Sequence, residues 1–186
     1  AASPEVALRL KDSSGSEDSV LLTGIDGTER FFNVSLSLFD DVDLTKITQI
    51  LVVLEKANVT DPTSTLEIRF GTHPFTPALL PDDTKTEADI SLFTGIVSLS
   101  GFDSDPTDSL QLASLEQTSK TQFKLMDYDL SAADSFVATM SSFDDFGTAG
   151  KETQDLSGIS SFILGLKDAA SPEVALRLKD SSGSED

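Results

Sequence analysis

Apolar and polar positions alternate with a period of two along most of the chain. Val6, Leu8 and Leu10 alternate with Ala7 and Arg9, and Phe32, Val34, Leu36 and Leu38 alternate with Asn33, Ser35 and Ser37. Leu66, Ile68 and Phe70 alternate with Glu67 and Arg69. This period puts every second side chain on one face of an extended strand, so each stretch predicts a strand with one buried face. Further strands are predicted over 19–23, 47–56, 90–99, 109–115, 121–127, 134–140 and 159–166. Turn residues separate them, most clearly at Gly24–Gly27, Pro81–Asp83 and Gly101–Pro106. The proline-rich stretch 72–89 predicts a long surface loop. No long amphipathic helix is visible. The pattern predicts an all-β fold: an antiparallel β-sandwich of jelly-roll type, with about ten strands and little helix.

Two internal repeats add to this. Residues 1–18 and 169–186 are identical, letter for letter, at an offset of 168. Such identity points to a tandem array, to deliberate copying of a terminal strand, or to units that lend an end strand to the next. Residues 1–18 are therefore expected to form a duplicated strand segment that makes the joint with a neighbouring unit. Residues 19–186 are expected to form one sandwich domain ending in the second copy, 169–186. Val6, Leu8 and Leu10, and equally Val174, Leu176 and Leu178, are the expected pocket-filling side chains of that strand. A fainter repeat relates Asp43–Lys56 to Asp155–Asp168, with a D-L-x-x-I entry before an apolar strand in each. Leu66–Phe70 then matches Val174–Leu178. This reads as one β-hairpin used twice, with strand 172–179 returning along strand 159–166.

The phrase FFNVSLSLFDDVDLTKITQILVVLE, followed by STLEIRFG, resembles the strand pairs of galactose-binding-like jelly rolls, as found in carbohydrate-binding modules and tandem-repeat surface proteins. The resemblance covers roughly residues 30–71 and extends to 155–180. It implies a jelly-roll fold and transfers no binding residues. Sugar-binding modules of this kind usually stack a sugar ring on Trp or Tyr. This chain has no Trp and one Tyr, Tyr128.

Composition narrows the chemistry. The formal net charge is −19, from 32 acidic and 13 basic residues. An anionic surface repels a phosphate backbone, so nucleic acid is not an expected partner. The absence of Cys excludes disulfides and thiolate sites, and one His makes a multi-His metal centre or a Ser-His-Asp triad a poor expectation. No apolar run is long enough to span a membrane as a helix. His73, just after a predicted strand, reads as a surface-loop residue.

Asp outnumbers Glu by 22 to 10, and Asp clusters in predicted loops. Carboxylates on alternating loop residues suit Ca²⁺, which takes several hard oxygen ligands. Asp103, Asp105 and Asp108 form the best-spaced group, and Asp40, Asp41 and Asp43 a second. The bland reading of both is a solvated acidic surface. Asn33 and Asn58, the two asparagines of the chain, both lie in N-x-S/T sequons and are candidate glycosylation sites, which requires an extracellular setting.

These features favour a structural, non-enzymatic role at the cell surface or outside the cell. The expected protein is a repeating unit of a filament, surface layer or giant adhesin. Its partners would be copies of itself, joined head to tail through the terminal strand. The alternative is a calcium-dependent carbohydrate-binding module of a larger secreted protein, with glycans as partners.

Overall fold

A computed structural model describes residues 8–14, 16–59, 61–71, 98–104, 111–117, 121–144, 146–168 and 174–177. Eleven strands lie among them: β1 (Leu8–Asp12), β2 (Glu17–Leu22), β3 (Arg30–Ser35), β4 (Ile47–Glu55), β5 (Thr63–Gly71), β6 (Ser98–Asp103), β7 (Gln111–Gln117), β8 (Thr121–Asp129), β9 (Phe136–Ser142), β10 (Ser161–Lys167) and β11 (Val174–Arg177). Among the described residues there is no α-helix, and only three short 3-10 turns interrupt the strands. The expected loop 72–89 lies outside the described residues. The protein is all-β with antiparallel sheets, sandwich-like in build.

One sheet has the order β2-β1-β11-β4-β9-β6, and the other β3-β10-β5-β8-β7. β3, β10, β5 and β8 make a continuous antiparallel four-strand sheet, while β4 and β9 pair antiparallel in the opposite sheet. The strand predicted through Leu38 stops at Ser35. There the Ser35 hydroxyl accepts from the Ser37 amide and starts a 3-10 turn over Leu36–Leu38. A hydroxyl that offers the backbone a local bond diverts it from the ladder.

The expected hairpin between strands 159–166 and 172–179 does not form. β10 pairs with β3 and β5, whereas β11 pairs with β4 in the other sheet. The same holds for the earlier copy of the motif, since β4 and β5 also belong to different sheets. Both copies are crossovers between layers, in opposite senses. The reason lies in burial. β4 is buried at eight consecutive positions and needs a partner on each edge and cover on both faces. A return strand folded beside it in the same layer would leave its inner face uncovered.

The two D-L-x-x-I entries meet. The Leu156 amide donates to the Leu44 carbonyl at 2.8 Å, and Ile47 and Gln154 exchange both backbone bonds at 3.1 and 2.7 Å. Each entry is closed in the same way. Asp43 accepts from the Thr45 amide and hydroxyl (3.0 and 2.6 Å), and Asp155 from the Ser157 amide and hydroxyl (2.9 and 2.6 Å). The faint sequence repeat is thus a pair of similarly closed strand entries in contact, one feeding each sheet.

The core lies between the layers. Ile50, Val52 and Leu54 of β4 face Leu66, Ile68 and Phe70 of β5 and Phe162, Leu164 and Leu166 of β10 in one cluster. The rings of Phe70 and Phe162 meet edge to face at 5.0 Å between centroids. Leu51, Val53 and Ala138 form a second, smaller cluster, which the alternation places on the other face of β4 and β9. Gly165 lets the Phe31 ring of the paired strand lie close over the backbone, because a Cβ there would come within 2.8 Å of that ring and displace it.

Candidate functional site

The site of interest is the edge of β4 that receives the repeated segment. The second copy arrives as β11, with Val174 opposite Leu54, Ala175 opposite Val53, Leu176 opposite Val52 and Arg177 opposite Leu51. The first copy arrives as β1, with Arg9 opposite Leu51, Leu10 opposite Ile50 and Lys11 opposite Gln49. Arg9 and Arg177 are the same residue of the repeat, and both are in register with Leu51. β11 takes the half of the edge near Leu54, and β1 the half near Ile47. Where they meet they run parallel, with Leu8 opposite Leu176, again the same repeat position. One strand position on β4 is therefore divided between two copies of one sequence.

Local chemistry holds both copies. β1 turns into β2 through a tight hairpin organised by Asp12, which is buried. Its carboxylate accepts from the Ser14 amide (2.8 Å), the Ser14 hydroxyl (2.6 Å) and the Asp43 amide (2.6 Å). Burial opposes ionisation of Asp12, but these bonds and one from the Ser16 amide outweigh it, and the carboxyl is held below its ordinary range. The hairpin is thereby tied to the entry of β4. Leu10 is fully buried in the main core. The chain leading to the second copy is pinned just before the repeat begins. Asp168 is buried, its amide donates to the Asp26 carbonyl at 3.0 Å, and its carboxylate accepts from the Ser64 hydroxyl at 2.6 Å. Burial, followed by the neighbouring Asp168 charge, pushes the Tyr128 hydroxyl far above its ordinary range.

Of the expected inter-unit residues, Leu10 is in the core, and Leu8, Val174 and Leu176 lie on paired strands. Val6 and Leu178 lie outside the described residues, as do Asp105, Asp108 and His73. Asp103 ends β6. Asp40 and Asp41 come together with Asp18, close enough to hold one metal ion. Asp43 is not a member: its carboxylate caps a 3-10 turn and pairs with Lys46 at 3.1 Å. The sequence grouped Asp43 with its chain neighbours, whereas the third carboxylate comes from the β1–β2 hairpin. Asn33 is exposed on β3, and Asn58 is half-buried in a 3-10 turn.

Much of the Asp surplus has a local use that sequence reading missed. Asp12, Asp26, Asp43, Asp61, Asp129 and Asp155 each accept from the amide two residues on, which is Ser or Thr in every case. The legible signal was the recurring D-x-S/T phrase, which closes turns without any cation. A second missed feature is Lys124, fully buried between the layers. Its ammonium donates to the Ser141 hydroxyl at 3.0 Å, which donates to Gln122 Oε1 at 2.8 Å. Burial pulls its pKa down to about 7. An open depression of about 290 Å³ lies beside Glu55, Lys56, Asp134 and Phe136.

No family model, curated protein or solved structure matches this chain.

Proposed function

We propose that the chain is a structural repeating unit of an extracellular array, a filament, surface layer or giant adhesin, whose units join through the terminal strand. One observation carries this reading: both copies of the 18-residue repeat reach the same edge of β4 in the same register. An extended segment on an open edge gains main-chain hydrogen bonds from the ladder and specificity from alternate side chains. It also covers an edge that would otherwise aggregate. The acidic surface and the two sequons suit an extracellular, crowded setting, and the fold is read as a jelly roll. Calcium belongs to this reading as the hard cation suited to Asp18, Asp40 and Asp41.

The test is light scattering on residues 1–186, refolded at increasing concentration in millimolar calcium. An open-ended series of oligomers is expected, because strands traded between molecules with one shared register build head-to-tail chains. A monomer at every concentration would overturn joining by strand contact.

A further inference from the structure

We infer that the two copies of the repeat are interchangeable occupants of the single β4 slot, so that a unit is completed either by its own strand or by the identical strand of a second copy of this chain. This deepens the array reading and rests on it for its biological meaning. The physical case rests on register.

Two different strands on one edge would normally meet it at unrelated positions. Here the twin residues Arg9 and Arg177 both pair with Leu51, and the twins Leu8 and Leu176 pair with each other. If β11 continued past Arg177 along β4, its next residue would fall opposite Ile50, where its twin Leu10 already sits. If β1 were extended backwards in register, Ala7 and Val6 would fall opposite Val53 and Leu54, the partners of Ala175 and Val174. Each copy thus carries the full set of side chains for the whole slot and uses half of it. Full pairing by either copy requires expulsion of the other. The same slot on another copy of the chain offers the expelled strand the register it has left.

The anchors on either side fit such a trade. The first copy is held from its C-terminal side by the Asp12 turn and β2, and the second from its N-terminal side by Asp168. Each copy is therefore tethered at one end, the first at its C-terminal side and the second at its N-terminal side. In an array, a segment between two units is at once the second copy of one and the first copy of the next. Its choice of slot would set the direction in which strands are passed along the array.

The experiment is a double-mutant cycle on residues 1–186 with the twin substitutions Leu10→Asp and Leu178→Asp, read by thermal melting. Interchangeable occupants buffer each other. Each single variant should melt within about 4 °C of the parent, and the double variant should fall by about 10 °C or more, well beyond the sum. A synthetic peptide of residues 171–180 should restore the melting temperature of the double variant, and this arm holds even if that variant is unfolded alone. A Leu10→Asp variant as damaged as the double, with Leu178→Asp silent, would overturn the inference by assigning the slot to β1. Two additive losses would overturn it as well, because each copy would then own a fixed half. These outcomes are independent of assembly: a monomeric parent that shows the buffering would remove the array reading and leave the exchange intact.

Discussion

Among the described residues, Lys124 is a fully buried cation hydrogen-bonded to a hydroxyl rather than to a carboxylate. It stands on the buried face of β8, and its ammonium donates to the Ser141 hydroxyl, which is bonded in turn to Gln122. Burial lowers its pKa from 10.5 to about 7. The native state thus binds fewer protons than the unfolded chain between those values. Stability should rise as pH increases from about 7 towards 10.5, and the penalty should be complete below about 7. Tyr128 works the other way: its raised pKa favours the fold below pH 10 and removes that advantage above it. Replacing Lys124 with Met should stabilise the protein at pH 6 by about 1–4 kcal/mol, as swaps of buried charges for apolar groups often do. The rise in stability between pH 7 and 10 should disappear with it. Urea melts of parent and variant across that range check both statements.

At the scale of elements, the two D-L-x-x-I entries act as a matched pair. Each aspartate closes its own turn, and the turns are joined back to back through Leu44, Ile47, Gln154 and Leu156. The hydrogen bonds from Thr45 hold the Asp43 carboxyl below its ordinary range, and those from Ser157 do the same for Asp155, against a small opposing push from the Asp43 charge. Asp43→Ala and Asp155→Ala should each lower the melting temperature by a few degrees, about 3 °C, through the lost caps. Either single change already relieves their mutual repulsion, so the sum counts that relief twice and the double variant should lose slightly more than the sum. A strictly additive result would show that the entries are energetically separate.

Over the whole molecule, a net charge of −19 on 186 residues makes self-repulsion a standing opponent of the fold. Sodium chloride at about 0.5 M should raise the urea midpoint at neutral pH by screening that repulsion. Calcium at a few millimolar should raise it further than sodium at equal ionic strength, if Asp18, Asp40 and Asp41 share an ion. The triple change Asp18→Asn, Asp40→Asn, Asp41→Asn should erase the calcium increment and keep the sodium effect. An equal response to both salts would reduce the cluster to surface charge.

Strand identity, the all-β class and the exceptional status of the repeated segment were legible in the chain, because period-two alternation and letter-for-letter identity are local properties. Leu66, Ile68 and Phe70 read as an inward face without knowledge of any partner, and they are one. Partnership was not legible. An alternating strand shows which side is buried but not which edge it will meet, so β10 and β11 looked like a hairpin and lie in separate sheets. The Asp residues were visible as loop residues, yet carboxylates that close their own turns and carboxylates that gather across loops read alike along the chain. Only the fold separated Asp43 from Asp40 and Asp41 and brought Asp18 to them. The repeat announced that a strand was duplicated. That both copies converge on Leu51 of one β4 edge was decided by tertiary structure, because register is a relation between strands distant in sequence and is set by the side chains of the edge that receives them.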